Sequence, residues 1–107
     1  MTITKKDHGK EIKVRKWDVI QIELETQGAA GYAWHFDALD NQFLELIKEE
    51  TKDGKKNGMV GAPLTHIWQL RAIKGGETEI LLHCFRVWEL KDRAIDLFRI
   101  KAKIICT

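Results

Sequence analysis

Four histidines and two cysteines are the side chains of this 107-residue chain best suited to nucleophilic, proton-transfer or metal chemistry. His8, His35, His66 and His83 stand far apart. None has metal-ligand spacing to another histidine or to Cys84 or Cys106. Each therefore reads as a surface or strand histidine. Both cysteines fall inside strand-like runs, which is not the setting of a nucleophile. There is no phosphate-cradling loop, no dinucleotide glycine pattern and no His-Glu-x-x-His pair. The carboxylates are many, but no pair stands out by spacing. The chain reads as a non-enzyme that needs no cofactor and no metal.

What remains is recognition chemistry, and three stretches can carry it. The first is Gln27-Gly28-Ala29-Ala30-Gly31-Tyr32-Ala33-Trp34, where two glycines and two alanines separate two strand-like runs. Glycine permits backbone shapes that a side chain forbids and lets another surface come close. Such a stretch is either a plain turn or a flat wedge offered to a partner. The second is Thr51 to Pro63, with three glycines, three lysines and the only proline. It reads as a solvated loop, and its length in so small a domain favours a role. The third is Arg86-Val87-Trp88 at the end of a strand. Arg and Trp dominate interface hot spots. The competing reading is a tryptophan capping the core with Arg86 solvated beside it.

The frame for these stretches follows from composition and period. Hydrophobic residues make up 44% and charged residues 32%, which predicts a soluble globular chain, one domain over residues 1–107. Eighteen basic and 16 acidic residues leave a net charge of +2, too balanced to imply nucleic acid. A single-strand binder would also need its aromatics outward on a basic face, whereas here they alternate inward. No apolar run approaches the roughly 20 residues of a membrane span, so no membrane partner is expected. The N-terminal Met1 to His8 leads into no apolar signal core. The expectation is a chain that is cytoplasmic, or the mature form of an exported protein, and monomeric when free.

Strand-like alternation recurs along the whole chain. Ile12 and Val14 alternate with charge in Glu11 to Arg15, and Ile20, Ile22 and Leu24 do so in Val19 to Glu25. Lys16-Trp17-Asp18 bends the chain between them. Tyr32, Trp34 and Phe36 share a parity that reads as core, before a polar connection at Asp37 to Asn41. Phe43 to Glu50 mixes helical and strand spacing, and reads as a short strand after a turn. His66 to Ala72 and Thr78 to Phe85 are strands, and Gly75-Gly76 between them reads as a hairpin turn. Ile95 to Ile105 is the last strand, with Phe98, Ile100, Ala102 and Ile104 inward. A turn near Lys91 to Arg93 would put Cys84 opposite residues near 99, too far from Cys106 for a disulfide, so both thiols are expected free.

Seven or eight short, mostly antiparallel strands predict an all-β, immunoglobulin-like β-sandwich. The loops at 26–31, 51–63 and 86–94 are separated by even numbers of strands. They can therefore lie together at one end as a composite binding surface.

Taken in order, the three loops resemble those of the chagasin family, small β-sandwich inhibitors of papain-like cysteine proteases. That family carries an Asn-Pro-Thr-Thr-Gly-Tyr type motif followed by Trp. The matching segment here is Gln27-Gly28-Ala29-Ala30-Gly31-Tyr32, with Trp34 in place. Its glycine-rich second motif matches Gly61-Ala62-Pro63-Leu64, and its Arg-Pro-Trp matches Arg86-Val87-Trp88. Both threonines and two prolines are replaced, by Ala29, Ala30, Gly28 and Val87. Gln27 stands for Asn, and Leu64 for the last glycine of the second motif.

The resemblance implies a reversible, tight-binding inhibitor whose partner is a papain-like cysteine protease. Ala29, Ala30 and Gly31 would enter the catalytic cleft, Gly61 to Leu64 would brace one rim, and Arg86 and Trp88 would grip the other. Such an interface would bury roughly 1,600 Å² in total. The replaced hydroxyls and prolines favour a competing expectation, an immunoglobulin-like interaction module with no protease target.

Overall fold

Period-2 alternation does build strands along this chain, and among the described residues there are eight: β1 Thr2–Thr4, β2 Glu11–Arg15, β3 Val19–Thr26, β4 Tyr32–Ala38, β5 Leu44–Asp53, β6 Leu64–Ala72, β7 Gly76–Arg86 and β8 Asp96–Ile105. The computed structural model describes residues 1–26, 32–53, 64–86, 88 and 94–106. The strands form two four-stranded sheets, ordered β1-β3-β6-β5 and β2-β8-β7-β4. Two outer pairings, β1 with β3 and β2 with β8, are parallel, and the other four are antiparallel.

The core lies where the inward parities of the two sheets meet. Ile20, Ile22, Leu24, Trp68, Leu70 and Ala72 come from one sheet, and Ile80, Leu82, Phe98, Ile100 and Ala102 from the other. Full burial of one such leucine, isoleucine or phenylalanine is worth about 1.5–3 kcal/mol, so these side chains dominate the stability. Ile67 is buried too, although it has the opposite parity to Trp68. It lies on the outer face, paired with the half-buried Glu23 on one side and the half-buried Glu50 on the other.

Three expectations are corrected. Gly75-Gly76 is not a hairpin turn, because β6 and β7 belong to different sheets. The pair sits where the chain steps across the sandwich. A Cβ on Gly75 would come 2.6 Å from that of Cys106, and Gly76 has φ +141°. Only glycine fits so close a crossing. Cys84 lies opposite Asp96, not a residue near 99, because Leu81 takes Arg99. The segment from Phe43 holds a strand of ten residues, so Thr51 to Asp53 leave the predicted loop and join β5. The register shifts between Leu46 and Lys48, which leaves Ile47 as an extra residue. That bulge changes the parity in mid-strand and produces the mixed spacing in the sequence.

Both cysteines are free, Cys84 buried and Cys106 exposed one residue beyond β8. The Lys16–Asp18 bend carries β2 of one sheet into β3 of the other. Its backbone is tied on both sides, Lys16 N–H donating to Ile105 C=O at 2.8 Å and Trp17 N–H to Ala72 C=O at 2.6 Å. No helix of the described residues is long and apolar enough to cross a membrane.

Candidate functional site

The strand ends that border the three recognition stretches meet at one end of the sandwich, opposite the Lys16–Asp18 bend. In one sheet Leu64 lies across from Thr26 on one side and from Asp53 on the other. In the other sheet Tyr32 lies across from Arg86, and Cys84 from Asp96. The strands on either side of 27–31, β3 and β4, belong to different sheets. Segment 54–63 follows β5 and precedes its partner β6, and 87–93 lies between β7 and its partner β8.

Two hydrogen bonds join the sheets beneath this end. Thr26 is a buried polar side chain, 6% exposed, and its Oγ1 donates to the Tyr32 carbonyl at 2.8 Å. The buried Trp34 indole N–H donates to the Glu25 carbonyl at 3.1 Å. Burial makes such bonds matter, because an orphaned polar group there costs about 1–3 kcal/mol. Together they fix the two points between which 27–31 runs.

The second piece of scaffold is aromatic and cationic. Arg86 Nη2 donates to the Tyr32 hydroxyl at 3.1 Å. The guanidinium lies 4.7 Å from the Tyr32 ring centre and 6.0 Å from that of Trp88. Trp88 itself is 67% exposed. It therefore does not cap the core, and Arg86 is not simply solvated beside it.

Of the sequence-derived site residues, the structure describes Leu64, Arg86 and Trp88. Leu64 is the half-buried first residue of β6. Gln27, Gly28, Ala29, Ala30, Gly31, Gly61, Ala62 and Pro63 lie outside the described residues. Sequence reasoning placed Tyr32 in the core and passed over Thr26. Their roles depend on which strand faces which, and neither spacing nor parity supplies that.

Two titratable groups near this end are shifted by burial. Burial pushes the Cys84 thiol above its ordinary value, with Asp96 adding to the shift, so the thiol stays protonated and inert. His66 is pushed down by burial against the opposing pull of Glu49. Among the described residues, no cluster of histidine, cysteine and carboxylate can hold a metal ion.

Residues 13–102 match the family described as Chagasin family peptidase inhibitor I42. The chain belongs to the chagasin family of peptidase inhibitors. Within that family it is similar to Amoebiasin-2 of Entamoeba histolytica, 33% identical over 88 residues, covering 81% of this chain and 71% of the relative. Among solved structures it resembles the crystal structure of the cysteine protease inhibitor EhICP2 from Entamoeba histolytica. That likeness has 28% identity and a TM-score of 0.85, covering 96% of this chain and 93% of the other. The structure of PbICP-C in complex with falcipain-2 shares the fold, with a TM-score of 0.62 at 16% identity, over 96% of this chain and 87% of that one. The family is one of peptidase inhibitors rather than enzymes, and EhICP2 is described as a cysteine protease inhibitor.

Proposed function

We propose that this chain is a single-domain, reversible, tight-binding inhibitor of papain-like cysteine peptidases, acting through the three-segment end of the sandwich. The observation that carries the reading is the gathering of all three bordering strand pairs at one end, with Trp88 exposed beside the Arg86–Tyr32 contact. Membership of the chagasin family supplies the activity, and the likeness to EhICP2 supplies the peptidase class.

In this reading Gln27 to Gly31 enter the cleft and cover the peptidase's cysteine and histidine. Ala29 and Ala30 present only methyl groups, so the backbone itself fills a narrow cleft. Gly61, Ala62 and Pro63 brace one rim, with Leu64 tying that segment into the sheet. Trp88 supplies apolar area on the other rim, and Arg86 adds polar contacts. No covalent bond is needed. The inhibitor survives because its loop does not present a peptide bond in the geometry that attack requires.

The test is a titration of the purified protein against papain and a cathepsin L-like peptidase with a fluorogenic peptide. Stoichiometric or nanomolar inhibition is the expected result. Full activity of both enzymes at about tens of micromolar folded protein, weaker than a standard-sized interface would give, would overturn the reading. It would leave an interaction module on the same fold.

A further inference from the structure

Ile95 is not part of the family motifs, yet it is 62% exposed, nearly as much as Trp88. Among the described residues, these are the two large apolar side chains exposed at the binding end. Met1, Trp17 and Ile105, also exposed, lie toward the opposite end, and Leu46 and Ile47 lie on β5. Ile95 is fixed in place, because its N–H donates to the Cys84 carbonyl at 2.9 Å.

Beside it opens a hollow of about 300 Å³. Thr26, Trp34 and Cys84, all buried, form its floor, and the half-buried Tyr32 forms a wall. Glu25 and Asp96, both exposed, stand at its edge with Ile95. The Asp96 carboxylate already meets Lys5 Nζ at 3.2 Å. With Asp96 offset by Lys5, Glu25 leaves the edge one negative charge beside a largely apolar floor. Tyr32 belongs both to this hollow and to the Arg86 contact, so the hollow adjoins the residue on which Arg86 rests.

We propose that Ile95 and this hollow form a second anchor, which takes an apolar side chain flanked by a lysine or arginine on the surface of the bound peptidase. The inference rests on the inhibitor reading above. An apolar group gains by leaving water against Ile95 and the floor, at about 25 cal/mol per Å² buried. A neighbouring cation gains from Glu25 at the edge, an attraction that salt screens.

The experiment measures inhibition constants of Ile95→Glu and Glu25→Lys against papain and a cathepsin L-like peptidase, with Ile105→Glu as a control at the far end. Thermal melting of each variant confirms that it is folded. Ile95→Glu should weaken inhibition of at least one enzyme by about tenfold or more. Glu25→Lys should weaken it by about threefold or more at low salt, and less at high salt. Ile105→Glu should match the wild type. If Ile95→Glu stays within about twofold of wild type for both enzymes, the anchor is wrong. A loss with Ile95→Glu and none with Glu25→Lys overturns the basic flank. Failure of the inhibitor reading is distinct, because the unmodified protein would then leave both enzymes active, and the anchor would fall with it.

Discussion

The Arg86 guanidinium both donates to the Tyr32 hydroxyl, at 3.1 Å, and lies 4.7 Å from the centre of the same ring. The two residues lie opposite each other on β7 and β4, so the contact spans the bases of two recognition segments. A hydrogen bond from a charged donor is worth about 1.5–3 kcal/mol, and solvent at this partly exposed site reduces that. Tyr32→Phe keeps the ring and removes only the acceptor. It should lower stability by about 1 kcal/mol in urea unfolding, and should weaken inhibition because Arg86 and Trp88 lose a fixed base. Equal inhibition constants for the variant and the wild type would show that the hydroxyl does not position the rim.

Two tryptophans of this chain should answer mutation in opposite ways. Trp88 is 67% exposed and Trp68 is 2% exposed. Trp88→Ala should leave the melting temperature almost unchanged and weaken inhibition by about 2 kcal/mol or more. Trp68→Ala empties a site between the sheets, where its ring packs edge-on to Phe36 at 5.6 Å and tilted to His66 at 5.1 Å. It should cost about 3–5 kcal/mol of stability. Melting curves and inhibition constants on the two variants check both halves.

Much of the frame was legible because the core strands alternate cleanly. Ile20, Ile22 and Leu24, or Phe98, Ile100, Ala102 and Ile104, declare their buried face by parity alone. What failed was pairing. Gly75-Gly76 carries the composition of a hairpin turn, and nothing local says that its flanking strands enter different sheets. Ile47 hid the length of β5, because one bulged residue breaks the parity from which strands are read. At the candidate site only Leu64, Arg86 and Trp88 of the sequence-derived residues are described. Trp88 was singled out by the sequence with its exposure left open, and the even spacing of the loops put their bordering strands at one end. The Arg86–Tyr32 contact is a long-range consequence of register, the Thr26–Tyr32 bond crosses between two sheets that parity cannot pair, and Ile95 was absorbed into a strand.

The sheet crossing should be sensitive at Gly76. Its φ of +141° is one that side-chain-bearing residues rarely adopt, and a Cβ there would come 2.6 Å from Cε1 of Phe43. Phe43 in turn is fixed through its carbonyl, which accepts the Ile73 N–H at 2.8 Å. Gly76→Ala should destabilise the fold by about 1–3 kcal/mol, through backbone strain and displacement of the Phe43 ring. Unfolding by urea measures this. A midpoint equal to that of the wild type would mean that the corner relaxes without strain.

Stability should fall on acidification through His66. Burial holds its pKa below the ordinary histidine value of 6.5, outweighing the attraction of Glu49, and His35 pushes in the same direction as burial. Its ring packs against Trp68, its strand neighbours are Leu24 on β3 and Thr51 on β5, and its buried Nδ1 has no hydrogen-bond partner among the described residues. The folded chain therefore prefers the neutral ring, and the unfolded chain binds the proton first as pH drops. Stability from this group is complete above about 6.5 and is lost as pH falls from there through the lower folded-state value. His66→Phe keeps a ring against Trp68 and removes the titration. The gap in melting temperature between about pH 8 and about pH 5 should be smaller in this variant than in the wild type. Because His66 lies two residues after Leu64, the same proton should loosen the base of the 54–63 segment, so inhibition by the wild type should weaken over the same interval and that of the variant less. An unchanged gap in melting temperature would assign the acid sensitivity to other groups.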